Sequence, residues 1–400
     1  MRTAVHLNAL GLVCALGQGK EQISRRLFEA HSGVVTLENA VANGVSLPFA
    51  PVSVDLIDIP VSLRRYASRN LALVLTALAE IESELSEAIE RYGEHRIAIV
   101  MGTSTSGISV GEELLKNAQF RESNEFPPEF DFLQQEIGST AESIALMLNL
   151  TGPAITISTA CSSSAKALAM ARRFIDRDLA DAVVVGGCDS RCSLTLEGFH
   201  SLSALSLTGC KPFSANRDGT VIGEGAAIFL MSRERVGPVL AGVGESSDAH
   251  NMTAPDPVGG GAIAAMTGAL AQAGIQGRDL CYVNLHGTGT TLNDAMESRA
   301  VADVVGDEVP CSSSKGQIGH TLGAAGAVET ALCWLTLECN PDKKLPPHLW
   351  DGEPAEDAPL PGMVKNENRI SEESNLYLMS NSYAFGGSNI SVVLGSNDGP

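Results

Sequence analysis

Aromatic side chains are scarce in this chain, at 4%, and basic ones are outnumbered. Lysine and arginine total 27 against 47 aspartates and glutamates, a formal net charge of −20 over 400 residues. So acidic a balance repels phosphate backbones and argues against a nucleic-acid binder. Long hydrophobic runs are missing too. None approaches the roughly 20 residues of a membrane-spanning helix, so no membrane association is expected. The nine cysteines, at 14, 161, 188, 192, 210, 281, 311, 333 and 339, include no Cys-x-x-Cys pair. Cys188 and Cys192 have the wrong spacing for a zinc knuckle. A disulfide scaffold is implausible at this length, and free thiols in a reducing cytoplasm are the expectation. The opening "MRTAVHLNALGLVCALGQGK" has its apolar run broken by His6 and Asn8. It reads as a first strand and a turn rather than an export signal.

What is present is glycine, 40 residues, and a hydrophobic fraction of 44%, which is globular composition. Short β-rich runs alternate with helical stretches of small residues. Strands that run into polar loops are expected within 96–107, 237–250 and 281–291, further strands at 154–159, 180–189 and 225–232, a short one opening 309–338, and two across 375–396 joined by a glycine turn. Helices are expected from about Ser163, over 264–275, and through the long segment ending at 338. Strand–helix alternation predicts an α/β protein with mostly parallel sheets covered by helices. The plan runs twice, so two similar βαβ halves are expected, 1–240 and 241–400. Polar loops follow the carboxyl ends of the strands, where open α/β sheets place their sites. The segments 121–132 and 340–368 read as surface loops, the first with Phe126, Phe130 and Phe132 as a candidate pocket cap. "GTSTSG" at 102–107 is not a phosphate loop, because no Lys-Ser/Thr follows it.

Cys161 stands out. "AITIST" delivers it from a strand, and "SSSAKALAMARRF" opens a helix directly after it. The helix macrodipole and unpaired amides there favour a thiolate and predict a lowered pKa. A small buried hydrophobe at a tight corner is the competing reading. Two histidines sit in glycine-rich loops after strands, His286 in "NLHGTGTT" and His320 in "SSSKGQIGHTLGAAG". Together with Cys161 they make a Cys/His/His set drawn from three strand ends.

These motifs, with "KPFSANRDGTVIGEGAA" and "NSYAFGGSN", occur in the order and spacing of the elongating β-ketoacyl-acyl-carrier-protein synthases. The chain resembles that family, the ketosynthases of the thiolase superfamily, over almost its whole length. The resemblance implies the layered α-β-α-β-α thiolase fold. It also implies a decarboxylative condensation of a cysteine-bound acyl group with malonyl-acyl-carrier protein. Cys161 would be the acyl-accepting nucleophile. His286 and His320 would stabilise the enolate formed as CO2 leaves, with Lys315 ordering the network and Glu329 as the matching acid. Phe385 would be the gate, its amide joining that of Cys161 in an oxyanion hole. Two such donors are worth about 3 kcal/mol each. Thr288 and Thr290 would bind the phosphopantetheine arm. Asn284, Glu329, Ser380 and Asn389 match positions that surround a monovalent cation in some relatives.

No organic cofactor is implied, since the substrates ride on the carrier's own arm. Carrier proteins are acidic, so docking calls for a local basic patch. "SLRRYASRN" supplies Arg64, Arg65 and Arg69, and on one helix Arg65 and Arg69 would share a face. The family works as dimers, with the "AITIST" strand near the interface, either as homodimers or with a chain-length-factor-like subunit. "TGPAITISTACSSSAKAL" and "SLTGCKPFSANRDGTVIGEGAAIFLMSRER" look most like the aryl-polyene ketosynthases. A catalytically silent partner subunit is the alternative, and a Cys/His hydrolase a further rival. The first would have no use for Cys161, and the second none for the second histidine and its lysine.

Overall fold

The computed structural model describes residues 4–41, 44–116, 122, 125–128, 130–365, 368–370 and 375–396. Ten strands of the large sheet matter here: β1 (His6–Cys14), β2 (Ile97–Gly102), β3 (Ala154–Ile157), β4 (Ala182–Asp189), β5 (Gly225–Ser232), β6 (Val239–Ser247), β7 (Tyr282–Asn284), β8 (Cys311–Ser312), β9 (Tyr377–Ala384) and β10 (Ser388–Gly395). Their order across the sheet is β8-β7-β9-β10-β6-β1-β5-β4-β2-β3. One plan appears twice. β1 pairs antiparallel with β5, β5 antiparallel with β4, and β4-β2-β3 run parallel. β6 pairs antiparallel with β10, β10 antiparallel with β9, and β9-β7-β8 run parallel. The two sets meet where His6 of β1 faces Val239 of β6.

Six helices position the site: α1 (Arg69–Leu78), α2 (Ser163–Asp176), α3 (Ser193–Ser201), α4 (Gly260–Ala273), α5 (Thr291–Val304) and α6 (Ala325–Glu338). α2 and α6 pack on each other and on strands of both sets, so they form a central layer. α1 covers β1, β4 and β5 from one outside, and α4 covers β6 and β10 from the other. This is the expected α-β-α-β-α layering. A helix between two sheets has no wet face, and every residue of α6 from Ala325 to Thr336 is buried.

Glycine allows the close approaches this layering needs. A Cβ on Gly102, at the end of β2, would lie 2.4 Å from the Ser164 backbone at the start of α2. A Cβ on Gly326 would lie 2.6 Å from the Ala165 side chain, where the two central helices touch. The ends of α2 and α6 that carry the site are thus pressed together where a glycine of α6 meets an alanine of α2.

Two expectations need correction. Arg65 and Arg69 do not share a helix. Arg64 and Arg65 lie in a 3-10 turn, Val61–Tyr66, and α1 begins at Arg69 with Ser68 as its cap. Phe126, Phe130 and Phe132 do not line the cavity that Cys161, His286 and His320 share. Phe126 and Phe130 instead stack on each other at 4.2 Å. The nine cysteines are all free.

Candidate active site

The corner after β3 is tight. Ala160 takes φ 51°, a left-handed conformation that a side chain disfavours. It turns the chain so that Cys161 faces a cavity of about 350 Å³ as α2 starts two residues later. His320 comes from the other half of the chain. Its amide donates to Val221 O at 2.6 Å and its carbonyl accepts from Gly223, which straps the loop down. His320 Nε2 then lies 3.0 Å from Cys161 Sγ. The His286 ring stands edge-on to His320, centroids 5.3 Å apart at 86°. One nitrogen from each ring and the sulfur all fall within 4.8 Å of one another. The sequence-predicted trio is therefore brought to one point.

The electrostatics hold both rings neutral. Burial pushes His286 and His320 well below the usual imidazole range, and the Lys315 ammonium adds to this. Lys315 is itself fully buried. Its Nζ donates to His286 O and to Glu329 Oε1, each at 2.5 Å. Glu329 lies in the second turn of α6, and burial raises its pKa against the pull of Lys315.

The thiol departs from the expectation of a lowered pKa. Burial pushes Cys161 up to about 12, because the desolvation of a thiolate outweighs the helix end. The Lys315 charge and the backbone amides of Cys161 and Phe385 act in the opposite direction but do not overcome it. Those two amides nevertheless converge on the sulfur. Phe385 opens the turn between β9 and β10, where Gly386 and Gly387 take φ 83° and 75°. Its ring stacks on Phe199 of α3 at 5.4 Å, and Phe199 in turn edges His320. Thr288 and Thr290 line the same cavity, their hydroxyls 2.8 Å apart.

Three of the four candidate cation residues carry buried polar atoms without a partner: both amide atoms of Asn284, Ser380 Oγ and Glu329 Oε2. Asn284 and Ser380 are paired neighbours on β7 and β9. Oxygens from an amide, a hydroxyl and a carboxylate suit a hard monovalent cation. Asn389 does not join them. It donates to Asp248 Oδ1 at 2.6 Å, on β10 beside the gate turn. The arginine patch is also largely committed. Arg65 pairs with Asp131 at 2.7 Å, and Arg69 with the buried Glu224 at 2.5 Å.

Several site residues escaped the sequence reading. Glu297 of α5 accepts from the amides of His286 and Gly287, both at 2.7 Å, and so holds the first histidine loop. Asp294 accepts from Phe213 and Gly289. Asp189, at the end of β4, accepts from Thr103, Ser104, Thr105 and Gly323, tying the floor of the site to the loop after His320. The available signal was two acids three apart directly after a glycine-rich loop. Phe199 had no signal at all.

The model of the β-ketoacyl synthase N-terminal domain matches residues 70–236, and that of the C-terminal domain matches 238–349. A 3-oxoacyl-[acyl-carrier-protein] synthase 2 of Vibrio harveyi is 29% identical, covering 97% of each chain. One from Rhizobium meliloti is 38% identical over 64% of each chain. A solved structure described as a ketosynthase in complex with its chain length factor, from Xenorhabdus doucetiae, superposes with a TM-score of 0.93. It is 40% identical, with 98% of both chains covered. The ishigamide ketosynthase/chain length factor superposes at 0.88 with 25% identity, covering 99% of this chain and 100% of its own. The chain, with its Cys/His/His centre between two halves of one strand plan, belongs to the β-ketoacyl synthase family.

Proposed function

We propose that the chain condenses an acyl group held on Cys161 with malonyl-acyl-carrier protein, releasing CO2 and a β-ketoacyl-carrier protein. The observation that carries this reading is the contact of Cys161 Sγ with His320 Nε2 at 3.0 Å, beside a second neutral histidine. In the first half-reaction Sγ attacks the carrier thioester as His320 takes its proton. The amides of Cys161 and Phe385 hold the oxyanion, and the carrier thiol leaves with the proton. In the second, the malonyl thioester loses CO2, and an N–H from each neutral imidazole holds the enolate oxygen. The enolate carbon then attacks the acyl carbonyl and Cys161 leaves as a thiolate, which takes up a proton from solvent.

Lys315 and Glu329 are positioning residues, acting through the His286 carbonyl. Thr288 and Thr290 bind the pantetheine arm. Residues 1–240 supply the nucleophile and 241–400 both histidines, and catalysis occurs where the halves meet. A monovalent cation held by Asn284, Ser380 and Glu329 would balance the carboxylate and hold β7 against β9. The reaction uses no organic cofactor.

The Xenorhabdus doucetiae neighbour supports a working complex with a chain-length-factor-like subunit. The sequence likeness to aryl-polyene ketosynthases supports polyene elongation within fatty-acid and polyketide chemistry. Ala154, on the edge strand β3, is exposed, as a dimer contact there requires. Among the described residues no helix is long and apolar enough to cross a membrane. With nine free thiols, a cytoplasmic enzyme is the reading. A silent partner subunit is disfavoured by the complete Cys/His/His centre.

Intact mass after incubation with a panel of acyl-carrier proteins tests this. An acyl-sized gain, absent in Cys161→Ala, is expected. No gain with any acyl chain, in the presence of the partner subunit, overturns the assignment.

A further inference from the structure

The segment 340–368 reads from the sequence as a surface loop, yet His348 within it is buried. Its ring lies near those of Phe213 and Trp350, at centroid distances of 6.3 and 5.2 Å. Both ring nitrogens have backbone partners. The Ser313 amide lies 3.1 Å from Nδ1, and the Pro212 carbonyl lies 3.0 Å from Nε2. An amide N–H only donates and a carbonyl only accepts, so Nδ1 is the acceptor and Nε2 carries the proton. Burial pushes the imidazole pKa down to about 4, which keeps Nδ1 free to accept.

What these two bonds hold is the loop of His286. Ser313 Oγ donates to Gly287 O at 2.7 Å. The Phe213 amide donates to one oxygen of Asp294 at 2.8 Å, and the other oxygen accepts from Gly289 at 3.2 Å. Gly287 takes φ 32° between these two walls. A Cβ there would lie 2.6 Å from Ser313 Cβ and 3.0 Å from the Phe213 ring. His348 does not line the cavity of the Cys/His/His centre, so it reaches the chemistry through the loop alone. His320, further along the chain from Ser313, is strapped separately by Val221 and Gly223.

Resting on the condensing function above, we propose that His348 is a positioning residue for His286. By tying Ser313 to Pro212 it closes both walls on Gly287. That fixes the direction in which the His286 ring offers its N–H to the enolate oxygen. Small errors in such a direction are costly, because the donor must meet charge where it develops. Acyl loading of Cys161, which uses His320, does not depend on this clamp.

Three variants test the proposal. His348→Phe keeps an aromatic ring but neither accepts nor donates. CO2 release from malonyl-carrier protein should fall at least about tenfold in it, while acyl loading of Cys161 changes less than about threefold. His348→Asn keeps an oxygen that can accept from Ser313, and should stay within about threefold of wild type in both half-reactions. Ser313→Ala cuts the bond to Gly287 and should reproduce the selective loss of CO2 release, even if His348→Phe does not fold. Equal losses in both half-reactions, full CO2 release in Ser313→Ala, or a His348→Asn no better than His348→Phe overturns the proposal. Hydrogen exchange gives a readout free of turnover. The amides of 286–290 should exchange at least about tenfold faster in His348→Phe and Ser313→Ala, with those of 159–163 unchanged. Unchanged exchange at 286–290 also overturns the proposal. A wild type that neither loads an acyl group nor releases CO2 would overturn the condensing function instead, with the exchange result still deciding whether His348 clamps the loop.

Discussion

Cys161 Sγ and His320 Nε2 sit 3.0 Å apart, although 159 residues separate them in the chain. The contact changes how the nucleophile is made. A thiol pushed up to about 12 is not a standing thiolate at neutral pH. It reacts when a base in contact removes its proton.

Alkylation of Cys161 by iodoacetamide should therefore be slow at pH 7 and rise through pH 10 without a plateau near the ordinary thiol value of about 8.5. His320→Ala should slow acylation by carrier thioester by a further factor of about 10² to 10⁴. A low-pH plateau in a pH–rate series of trapped mass would contradict this.

Among the described residues the hydrogen bond to the sulfur comes from His320, not from His286. His286→Ala should leave acyl loading measurable by intact mass while lowering CO2 release from malonyl-carrier protein by a factor of about 10² to 10³. Equal losses in both half-reactions would remove the division of labour between the two rings.

The buried Lys315–Glu329 pair is a stability element as well. Lys315→Met leaves Glu329 buried without its partner, and should cost about 3–5 kcal/mol in denaturant unfolding. Pairing it with Glu329→Gln should restore much of the stability, because the orphaned charge is gone. Activity should not return, since the His286 carbonyl stays unheld.

Glu297 makes the fold pH-dependent. Burial raises its carboxyl from 4.5 to about 7, against the pull of the Gly287 and His286 amides. Between those values the folded chain keeps a proton that the unfolded chain has released. Stability from this group is therefore full below pH 4.5 and is lost as pH rises through about 7. Glu297→Gln should flatten the slope of unfolding free energy against pH across that window.

The orphaned atoms of Asn284, Ser380 and Glu329 point to cation-dependent stability. The melting temperature should be higher in potassium or sodium chloride than in tetramethylammonium chloride of equal ionic strength. Ser380→Ala should reduce the difference.

Much of the fold was legible because hydrophobic period and glycine placement are local. The strand at 225–232 and the helix beginning at Ser163 lie where the pattern puts them. The doubled plan was legible for the same reason. The arginines were misread because Ala67 and Ser68 break the helix that would have aligned them, and Ser68 is a good cap. Glu297 was missed because a carboxylate early in a helix looks like ordinary dipole compensation until its backbone partners are seen.

The order of strands and helices, the Cys/His/His chemistry and its motif spacing were determined by the sequence itself, since each depends on neighbours along the chain. The acidity of Cys161, the capture of Arg69 by Glu224 and the neutrality of both histidines were decided only by tertiary structure. Each depends on desolvation or on partners from distant segments, and neither quantity is written in any local stretch of residues.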